Sequence, residues 1–283
     1  MGPSRCLLDA RRWHFAHGPI ELVIEAEGPG AEAAHERAWR RFQTVLTELV
    51  AELPRLRQPV HATAPCPVQG VVARRMWQAC AALPTDFITP MAAVAGAVAQ
   101  ELLQAYEQAD VHRAYVNNGG DIALHLTPTH RWRVGCVADI ARATPTVDGH
   151  IDIGFHEPVR GVATSGWRGR SHSLGIADAV TVLAATAAQA DAAATVVANA
   201  VDLKDERIVR APARSLREDS DLGDRLVTVD VPCLPPPLIE RALQAGLDQA
   251  RRLQAQGHLH AAVLQCQGRV SVLSPRQELP RAA

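Results

Sequence analysis

The amino-acid sequence predicts an α/β fold of the α+β kind, in which mixed β-sheets are covered by helices. Segments with a helical spacing of apolar residues alternate along the chain with short segments in which apolar and polar residues alternate. Apolar residues make up 47% of the 283 residues, which is enough for a substantial core. The sequence contains neither a GxGxxG motif nor a P-loop, so a Rossmann unit is not predicted. We expect one domain over residues 1–283.

Composition and charge argue against several classes of function. With 29 Lys and Arg against 30 Asp and Glu the net charge is -1, so no nucleic-acid partner is expected. The Ala-rich stretch Met91–Leu103 is too short to span a membrane. Residues 1–13 carry charges without the apolar run of a signal peptide, and the six cysteines form no CxxC pair. We therefore expect a cytoplasmic protein with buried, reduced cysteines and no membrane partner.

The N-terminal part, residues 13–53, is predicted to form a hairpin followed by a helix. Apolar and charged residues alternate from Trp13 to Ala26 around a turn at Gly18, which predicts two strands with one buried face. From Ala31 to Leu53 the apolar residues lie on one helical face, and Pro54 is expected to end the helix. This helix is predicted to cover the first sheet.

The central part, residues 87–200, is predicted to begin with a helix and to continue with short strands. Thr89 can cap a helix whose first position is Pro90, and the small residues that follow allow a backbone or a flat ligand to approach closely. Strands are expected over residues 113–116, 122–126, 132–137, 151–155, 160–164 and 180–183. A second helix is expected over residues 190–200.

The C-terminal part, residues 225–273, is predicted to contain a strand, a helix and a hairpin. These elements are expected over residues 226–231, 238–253 and 262–273, with the hairpin turning at Gln267-Gly268. The preceding polar stretch, residues 204–224, is predicted to be a loop or insertion. Its acidic run Asp219–Asp224 lacks the spacing of an EF-hand, so a solvated turn is expected and a cation site is the alternative.

The run Asn117–Asp121 is the first candidate for chemistry. Two asparagines followed by two glycines between strands form a turn with positive φ and exposed backbone N–H groups. Such a turn can bind a phosphate group or the edge of a flavin. A simple hairpin turn, which Asn-Gly favours on its own, is the alternative.

A second candidate is the end of the strand at Gly161–Gly166. Thr164 and Ser165 supply hydroxyl groups, and Arg168, Arg170 and His172 follow closely. Guanidinium groups and a titratable imidazole beside a turn suit the binding of a diphosphate and acid–base work on it. A surface loop with capping hydroxyls is the alternative.

A third candidate is the pair Asp191 and Thr195. The two side chains are four residues apart, so they lie one turn apart on the same face of a helix that is otherwise nearly apolar. Two hard oxygen donors so placed can hold Mg²⁺, with carbonyl, water or phosphate oxygens in the remaining positions. The alternative is that Asp191 is a first-turn residue and Thr195 bonds back to its own helix.

In their order along the chain, these motifs resemble the FAD:protein FMN transferase (ApbE-like) superfamily. The matching segments are Ala92–Val98, Asn117–Asp121, Trp132–Gly135, Gly161–Gly166, His172 and Asp191–Thr195. Residues 88–96 and 173–184 further resemble a cytoplasmic branch of that superfamily. The resemblance implies a flavin-transferase-like fold.

The resemblance also implies a function and residue roles. It implies that a flavin nucleotide, FAD or FMN, lies in a cleft near Mg²⁺ and that the FMN half of FAD passes to a threonine hydroxyl of an acceptor flavoprotein. Asp191 and Thr195 would ligate Mg²⁺ together with a carbonyl of residues 93–96, and His172 would act at the reacting end with Thr164 and Ser165. The residues implied to contact the cofactor are Asn117, Asn118, Gly119, Gly120, Asp121, Thr164, Ser165 and Gly166.

The chain departs from the superfamily pattern at two places. Ala95 stands where the superfamily has a lysine, and the Asp-Pro-x-Thr-Gly segment after the histidine is replaced by residues 174–178. We therefore expect Arg168 or Arg170 to replace the lost cation. Asp178 is expected to supply a substitute carboxylate at the catalytic site.

Two alternatives to a Mg²⁺-dependent transferase stay open at the level of sequence. The chain can be a flavin or nucleotide carrier without transfer activity, or a cofactor-biosynthesis enzyme that acts on a pterin-like ligand. Aromatic residues make up 4% of the chain, and Trp167 and Tyr115 are the expected stacking partners of a flat ring. A homodimer is a plausible assembly, because short strands and apolar helices are expected to have exposed rims.

Overall fold

The computed structural model describes residues 2–61, 63–107, 110–136 and 149–275. One large sheet is formed by β1 (Ser4–Leu7), β2 (Arg12–His17), β3 (Ile20–Glu27), β4 (Arg113–Asn118), β5 (Asp121–Leu126), β8 (Gly161–Ser165), β9 (Ala179–Ala184), β12 (Ala261–Cys266) and β13 (Arg269–Leu273). These nine strands lie in that spatial order, and each pairs with its neighbour in the antiparallel sense. Two separate ribbons pair β6 (Arg131–Cys136) with β7 (Gly149–Gly154) and β10 (Val209–Pro212) with β11 (Leu226–Asp230).

Helices cover one face of the large sheet. Those that pack on the sheet are α1 (Ala31–Leu56), α3 (Val94–Glu107), α4 (Ala187–Ala200) and α6 (Pro236–Ala255). Helix α2 (Val71–Ala81) packs against α1, α3 and α4, and the short α5 (Ala213–Leu216) contacts β10. A 3₁₀ turn, Pro90–Ala93, leads into α3. The main core lies between this layer and the sheet and includes the fully buried Phe15, Phe42 and Tyr106. The α+β fold class is thereby confirmed, and the antiparallel sheet is unlike a Rossmann unit.

A second, smaller core lies on the other face of the sheet. Ala123 belongs to the main core and its neighbour Leu124 to the second one, as the alternation of side chains along a strand requires. Trp132 and Ile153 of the β6–β7 ribbon close this second core. The two faces of β4 and β5 therefore have different surroundings, and the candidate site lies toward the helical side.

Both predicted hairpins are confirmed. Gly18 joins β2 to β3 with φ of 58°. Gln267 and Gly268 join β12 to β13 with φ of 45° and 77°, the left-handed conformations that a tight two-residue turn needs. The predicted strands of the central part all occur, and their limits differ from the expected ones by at most two residues, although Val137 lies outside the described residues.

The structure departs from the predicted helices at three places. Helix α1 continues to Leu56 because Pro54 lies in its last turn, where Arg57 N still donates to the Leu53 carbonyl at 3.1 Å. Helix α2 was not predicted. Thr89 and Pro90 occupy the N-cap and first positions as predicted, but of the 3₁₀ turn, and the Thr89 hydroxyl bonds the Asp221 carboxylate instead of capping the turn.

The polar stretch at residues 204–224 is more ordered than the predicted loop. It contains strand β10 and helix α5. Asp219 of its acidic run accepts a hydrogen bond from Arg57 at 2.6 Å, and Asp221 bonds Thr89, so the run contacts both the end of α1 and the segment that precedes α3. The expected solvated turn is therefore partly wrong.

The cysteine side chains that the structure describes are all free thiols. Cys80 and Cys266 are buried as predicted, but Cys6 and Cys233 are exposed, so the prediction of burial is wrong for those two. Among the described helices, none combines the length and the apolarity that crossing a bilayer needs.

Candidate functional site

The glycine turn joins β4 to β5 and is a true hairpin turn. Gly119 and Gly120 adopt φ of 65° and 114°, and Asn118 pairs with Asp121 across the turn. Asn117 Oδ1 accepts a hydrogen bond from Gly120 N at 2.8 Å, which closes the turn. The simple hairpin and the candidate binding turn of the sequence analysis are thus the same structure.

Asn118 ties this turn to the start of α3. Its side chain is 9% exposed, and its Nδ2 donates to the Ala95 carbonyl at 3.1 Å. Asn118 is therefore occupied in holding the turn against the helix. Any contact between Asn118 and a nucleotide stays a prediction.

Asp121 turns its carboxylate toward the neighbouring strand β8. Its Oδ1 accepts a hydrogen bond from Thr164 N at 3.1 Å. Burial raises the pKa of Asp121 to about 7, against the lowering effect of that hydrogen bond. The structure thus brings two of the sequence-predicted segments, the glycine turn and the Thr164–Gly166 turn, into direct contact.

Asp191 lies on α4 and contacts the start of α3, the segment that Asn118 also contacts. Its Oδ2 accepts a hydrogen bond from Gly96 N at 2.9 Å. Burial, and next the charge of Asp121, raise the pKa of Asp191 well above its usual range. The charge of Asp121 thus affects the pKa of Asp191, although the two residues are 70 positions apart in the chain.

Gly96 makes this close approach possible. A Cβ atom at this position would lie 2.3 Å from the Ala187 carbonyl oxygen and 2.9 Å from Asp191 Cβ. No side chain fits in that space, so glycine lets α3 and α4 pack backbone to backbone. Thr195, the other predicted metal ligand, is half-buried one turn farther along the same face of α4.

The Thr164–Gly166 turn is held by the strands beside it. Thr164 Oγ1 and Thr181 Oγ1 are hydrogen-bonded at 2.9 Å. Gly166 approaches the backbone so closely that a Cβ atom would lie 2.4 Å from the Asp178 carbonyl oxygen. Thr164 is exposed and Ser165 is half-buried, so both hydroxyl groups border the surface.

The predicted catalytic residues are less closely gathered. Asp178 accepts hydrogen bonds from Arg168 Nε at 2.8 Å and from the backbone N–H of Gln267, which favours a positioning role for this carboxylate. Arg170 is 71% exposed and lies 3.9 Å from Glu21. His172 is half-buried.

The segment after His172 packs against the far end of α4. Leu174 N donates to Asn199 Oδ1 at 2.9 Å, eight residues or about 12 Å along the helix from Asp191. The residues that replace the superfamily's Asp-Pro-x-Thr-Gly segment thus serve to dock this loop. The catalytic roles of His172, Asp178 and Arg170 stay predictions.

The two expected stacking aromatics have different surroundings. Tyr115 packs edge to face against Trp132 at 5.1 Å, in the second core and away from the carboxylates, so it does not border the candidate site. Trp167 follows Gly166 directly, and the Arg168 guanidinium lies over its ring at 4.9 Å. Of the two, only Trp167 lies beside a predicted site segment.

Two further observations concern possible metal clusters and cavities in the described parts of the chain. Within the described parts of the chain, no group of three or more His, Cys, Asp or Glu side chains is gathered. A cavity of about 470 Å³ lies elsewhere, between α2, α3 and the start of α4, and is lined by residues such as Arg74, Gln100 and Gln189. The sequence-predicted site residues do not line it.

Comparison with known proteins gives a family and a fold. The family described as AbpE bacteria matches residues 4–272. A UPF0280 protein of Methanopyrus kandleri is 31% identical over 248 residues, which cover 83% of this chain and 94% of that protein. A UPF0280 protein of Methanothrix thermoacetophila is 35% identical over 218 residues, which cover 76% of this chain and 84% of that protein.

Solved structures show the same fold at low sequence identity. The flavin transferase ApbE from Vibrio cholerae is 12% identical, covers 96% of this chain and 97% of its own, and has a TM-score of 0.52. The flavinyl transferase ApbE of Pseudomonas stutzeri in its apo form is 11% identical, covers 98% of this chain and 96% of its own, and has a TM-score of 0.52. The resemblance to the ApbE-like superfamily is thereby confirmed at the level of family and fold. This chain belongs to the family described as AbpE bacteria and is a relative of the UPF0280 proteins.

Proposed function

We propose that this chain is a Mg²⁺-dependent enzyme of the flavin-transferase kind, which binds FAD and transfers its FMN half to a threonine hydroxyl of an acceptor flavoprotein in the cytoplasm. The observation that carries the proposal is the position of Asp191, which is held by Gly96 N at 2.9 Å beside the Ala95 carbonyl that Asn118 of the glycine turn contacts at 3.1 Å. The names of the two solved relatives, both flavin transferases, support the same reaction class.

The donor set fits a divalent cation of the magnesium type. Asp191 offers a carboxylate, Thr195 a hydroxyl group, and the Ala95 carbonyl lies on the peptide unit that Asp191 contacts. These are the hard oxygen donors that Mg²⁺ prefers. When bound there, Mg²⁺ neutralises negative charge that develops on phosphate groups. Within the described ranges, neither Asp121 nor Asp191 forms an ion pair with Lys or Arg that could do the same.

The chain's own residues bind and orient the nucleotide in this proposal. The turn at Gly119 and Gly120 exposes backbone to a phosphate or ring edge, and Arg170, close to Gly119, offers a cation to the pyrophosphate. Thr164, Ser165 and Gly166 border the same edge of the sheet. Asp178 fixes the loop by binding Arg168 and Gln267.

The transfer itself exchanges one phosphate ester bond for another. The acceptor's threonine oxygen forms a bond to the phosphorus of the FMN half, the pyrophosphate bond of FAD breaks, and AMP leaves. His172, half-buried with a titratable imidazole, accepts the proton of the threonine hydroxyl. Phosphoryl chemistry of this kind needs mainly positioning and charge stabilisation from the protein.

The experiment combines an absorbance spectrum with a mass measurement. Purified protein is incubated with FAD, Mg²⁺ and a threonine-containing acceptor flavoprotein, and the acceptor is then weighed by mass spectrometry. A gain of one FMN on the acceptor supports the transferase, and we expect His172→Ala to lose it by at least about a hundredfold. Bound flavin without a mass gain selects the carrier. A protein that binds no flavin selects the pterin-like alternative.

We further propose that the protein is a homodimer. Strand β13 is an edge of the large sheet, and Val270 and Val272 on it are 57% and 59% exposed. An apolar edge strand is a surface that a second copy can cover. Light scattering after gel filtration tests the mass, and a monomer at micromolar concentration contradicts this part of the proposal.

A further inference from the structure

One peptide unit joins the glycine turn to the acidic residue of α4. The carbonyl of Ala95 accepts a hydrogen bond from Asn118 Nδ2 at 3.1 Å, and the N–H of Gly96 donates to Asp191 Oδ2 at 2.9 Å. Both groups belong to the single amide between residues 95 and 96. The end of β4 and the first half of α4 are therefore fixed against the same point of α3.

Asp121 is brought to this point by the register of the hairpin. It lies directly opposite Asn118, whose side chain reaches the 95–96 amide. Its Oδ1 is held by Thr164 N at 3.1 Å, so the carboxylate is anchored on the side of β8. Because residues directly opposite each other on paired strands carry their side chains on the same face, Asp121 lies on the face from which Asn118 reaches α3, and Asp191 of α4 reaches the same amide.

Neither carboxylate is neutralised by a basic side chain in the parts of the chain that the structure describes. Arg168 pairs with Asp178 at 2.8 Å, and Arg170 lies 3.9 Å from Glu21. The hydrogen bonds to the two carboxylates come from backbone N–H groups, Thr164 N on Asp121 and Gly96 N on Asp191, so both carboxylates keep lone pairs that a cation can use. A divalent cation bound by both carboxylates would supply positive charge between the glycine turn and α4.

We infer that Asp121 is a second carboxylate ligand of the divalent-cation site of this chain. The inference rests on the cation site of the proposed function and adds a ligand from the glycine turn to Asp191 and Thr195 of α4. Asn118 is then a positioning residue, because it holds the turn at the distance that the shared site requires. The amide at residues 95–96 sets the spacing between the two carboxylates.

The test is the binding of Mn²⁺ alone, followed by electron paramagnetic resonance of the free ion at 0.15 M salt. The variant is Asp121→Asn, which keeps an oxygen that can accept from Thr164 N. We expect its Mn²⁺ affinity to fall by about tenfold or more, since loss of groups that organise a metal site typically costs 10- to 100-fold. Asp191→Asn should lose measurable binding. The matched control, Asp152→Asn, removes an exposed carboxylate that pairs with Arg133 on the β6–β7 ribbon and should bind Mn²⁺ like the wild type.

The possible outcomes separate the two proposals. If the wild type binds Mn²⁺, Asp191→Asn does not, and Asp121→Asn binds as tightly as the wild type, the role of Asp121 is overturned while the cation site stands. If the wild type binds no Mn²⁺, both the proposed cation site and the inference about Asp121 are overturned.

A measurement on the wild type does not depend on the stability of a variant. In protein labelled with ¹³C at the aspartate carboxyl carbons, saturation with Mg²⁺ should shift the resonances of both Asp121 and Asp191. A shift of the Asp191 resonance alone overturns the assignment of Asp121.

Discussion

Gly96 is the residue on which the geometry of the site depends most directly. It has no side chain to separate α3 from α4, and its N–H orients Asp191. A glycine inside a helix normally costs about 1 kcal/mol relative to alanine, so its presence in the first turn of α3 has to be offset by packing. The offset is the contact with Ala187 and Asp191.

We predict that Gly96→Ala destabilises the protein although alanine favours helices. The new Cβ would meet the Ala187 carbonyl oxygen at 2.3 Å, and backbone atoms cannot move aside as a flexible side chain can. Overpacking of this kind costs about 1–3 kcal/mol. The free energy of unfolding in urea measures the loss. Mn²⁺ affinity should also fall, because the new Cβ would push α4 and Asp191 away from the N–H of residue 96.

Gly149→Ala is the control for Gly96→Ala. No atom lies within 4 Å of a Cβ built at Gly149, so this substitution should change stability little. Equal effects of the two substitutions would show that Gly96 does not set the spacing of the helices.

Single residues also show where sequence-based prediction stops. The segments that contain Asn118, Asp121 and Asp191 could be identified from residue type and spacing. The contact of Asp191 with Gly96 and the proximity of Asp121 could not, because both depend on how α4 packs against α3 and β5. The hydrogen bond from Gln267 to Asp178 could not be predicted either, because Gln267 lies in a hairpin that is distant in the sequence.

At the scale of elements, Glu101 connects three helices. It lies on α3, is 7% exposed, and accepts hydrogen bonds from Arg41 Nε of α1 at 2.7 Å and from Arg75 Nη1 of α2 at 2.8 Å. Although burial opposes it, these two guanidinium groups hold the pKa of Glu101 below its usual value. The cluster fixes α1 and α2 onto α3.

We predict that Glu101→Gln destabilises the fold by about 3 kcal/mol, because removal of one partner leaves the charge of Arg75 buried without compensation. Urea unfolding measures this loss. Asp152→Asn breaks the pair with Arg133, whose two side chains are 50% and 66% exposed, and should change the free energy of unfolding little, because solvent screens exposed ion pairs. Similar losses in the two variants would contradict the role given to Glu101.

The elements themselves could be predicted well where the pattern was regular. Alternation gave the two tight hairpins, and a continuous apolar face gave α1 and α6. Helix α2 could not be recognised in the same way, because Arg74, Arg75 and Gln78 leave only a narrow apolar stripe. The strand in the polar stretch 204–224 depends on pairing of β10 with β11, which is a contact outside the local sequence.

At the scale of the whole molecule, the proposed cation site links the helical layer to the sheet. Its residues come from α3, α4 and the β4–β5 turn, and α3, α4, β4 and β5 all contribute residues to the main core. A ligand that binds only the folded state stabilises it, by about 2.7 kcal/mol at a concentration one hundred times its dissociation constant. Cation binding should therefore be visible as stability of the entire fold.

We predict that Mg²⁺ raises the melting temperature of the protein and that the gain is larger at pH 8 than at pH 6. Because the pKa of Asp121 is raised to about 7, the metal-free protein holds a proton there at pH 6 that Mg²⁺ must displace. As pH rises through 7, the buried Asp121 carboxylate ionises and the metal-free fold loses stability, because burial disfavours the charged form; bound Mg²⁺ offsets that loss.

Calorimetry with and without a chelator measures the effect of Mg²⁺. Sodium chloride at the same ionic strength is the control, and an equal gain with sodium would mean that general screening, and not a site, is responsible.

The position of Trp167 has an optical consequence. Its indole is joined directly to Gly166 of the Thr164–Gly166 turn, its ring lies under the Arg168 guanidinium, and its Nε1 is buried without a hydrogen-bond partner among the described residues. Indole emission responds strongly to a nearby cation and to a new hydrogen bond. The protein therefore carries a built-in fluorophore beside its candidate site, and displacement of that turn by a nucleotide should change the colour and intensity of the light it emits.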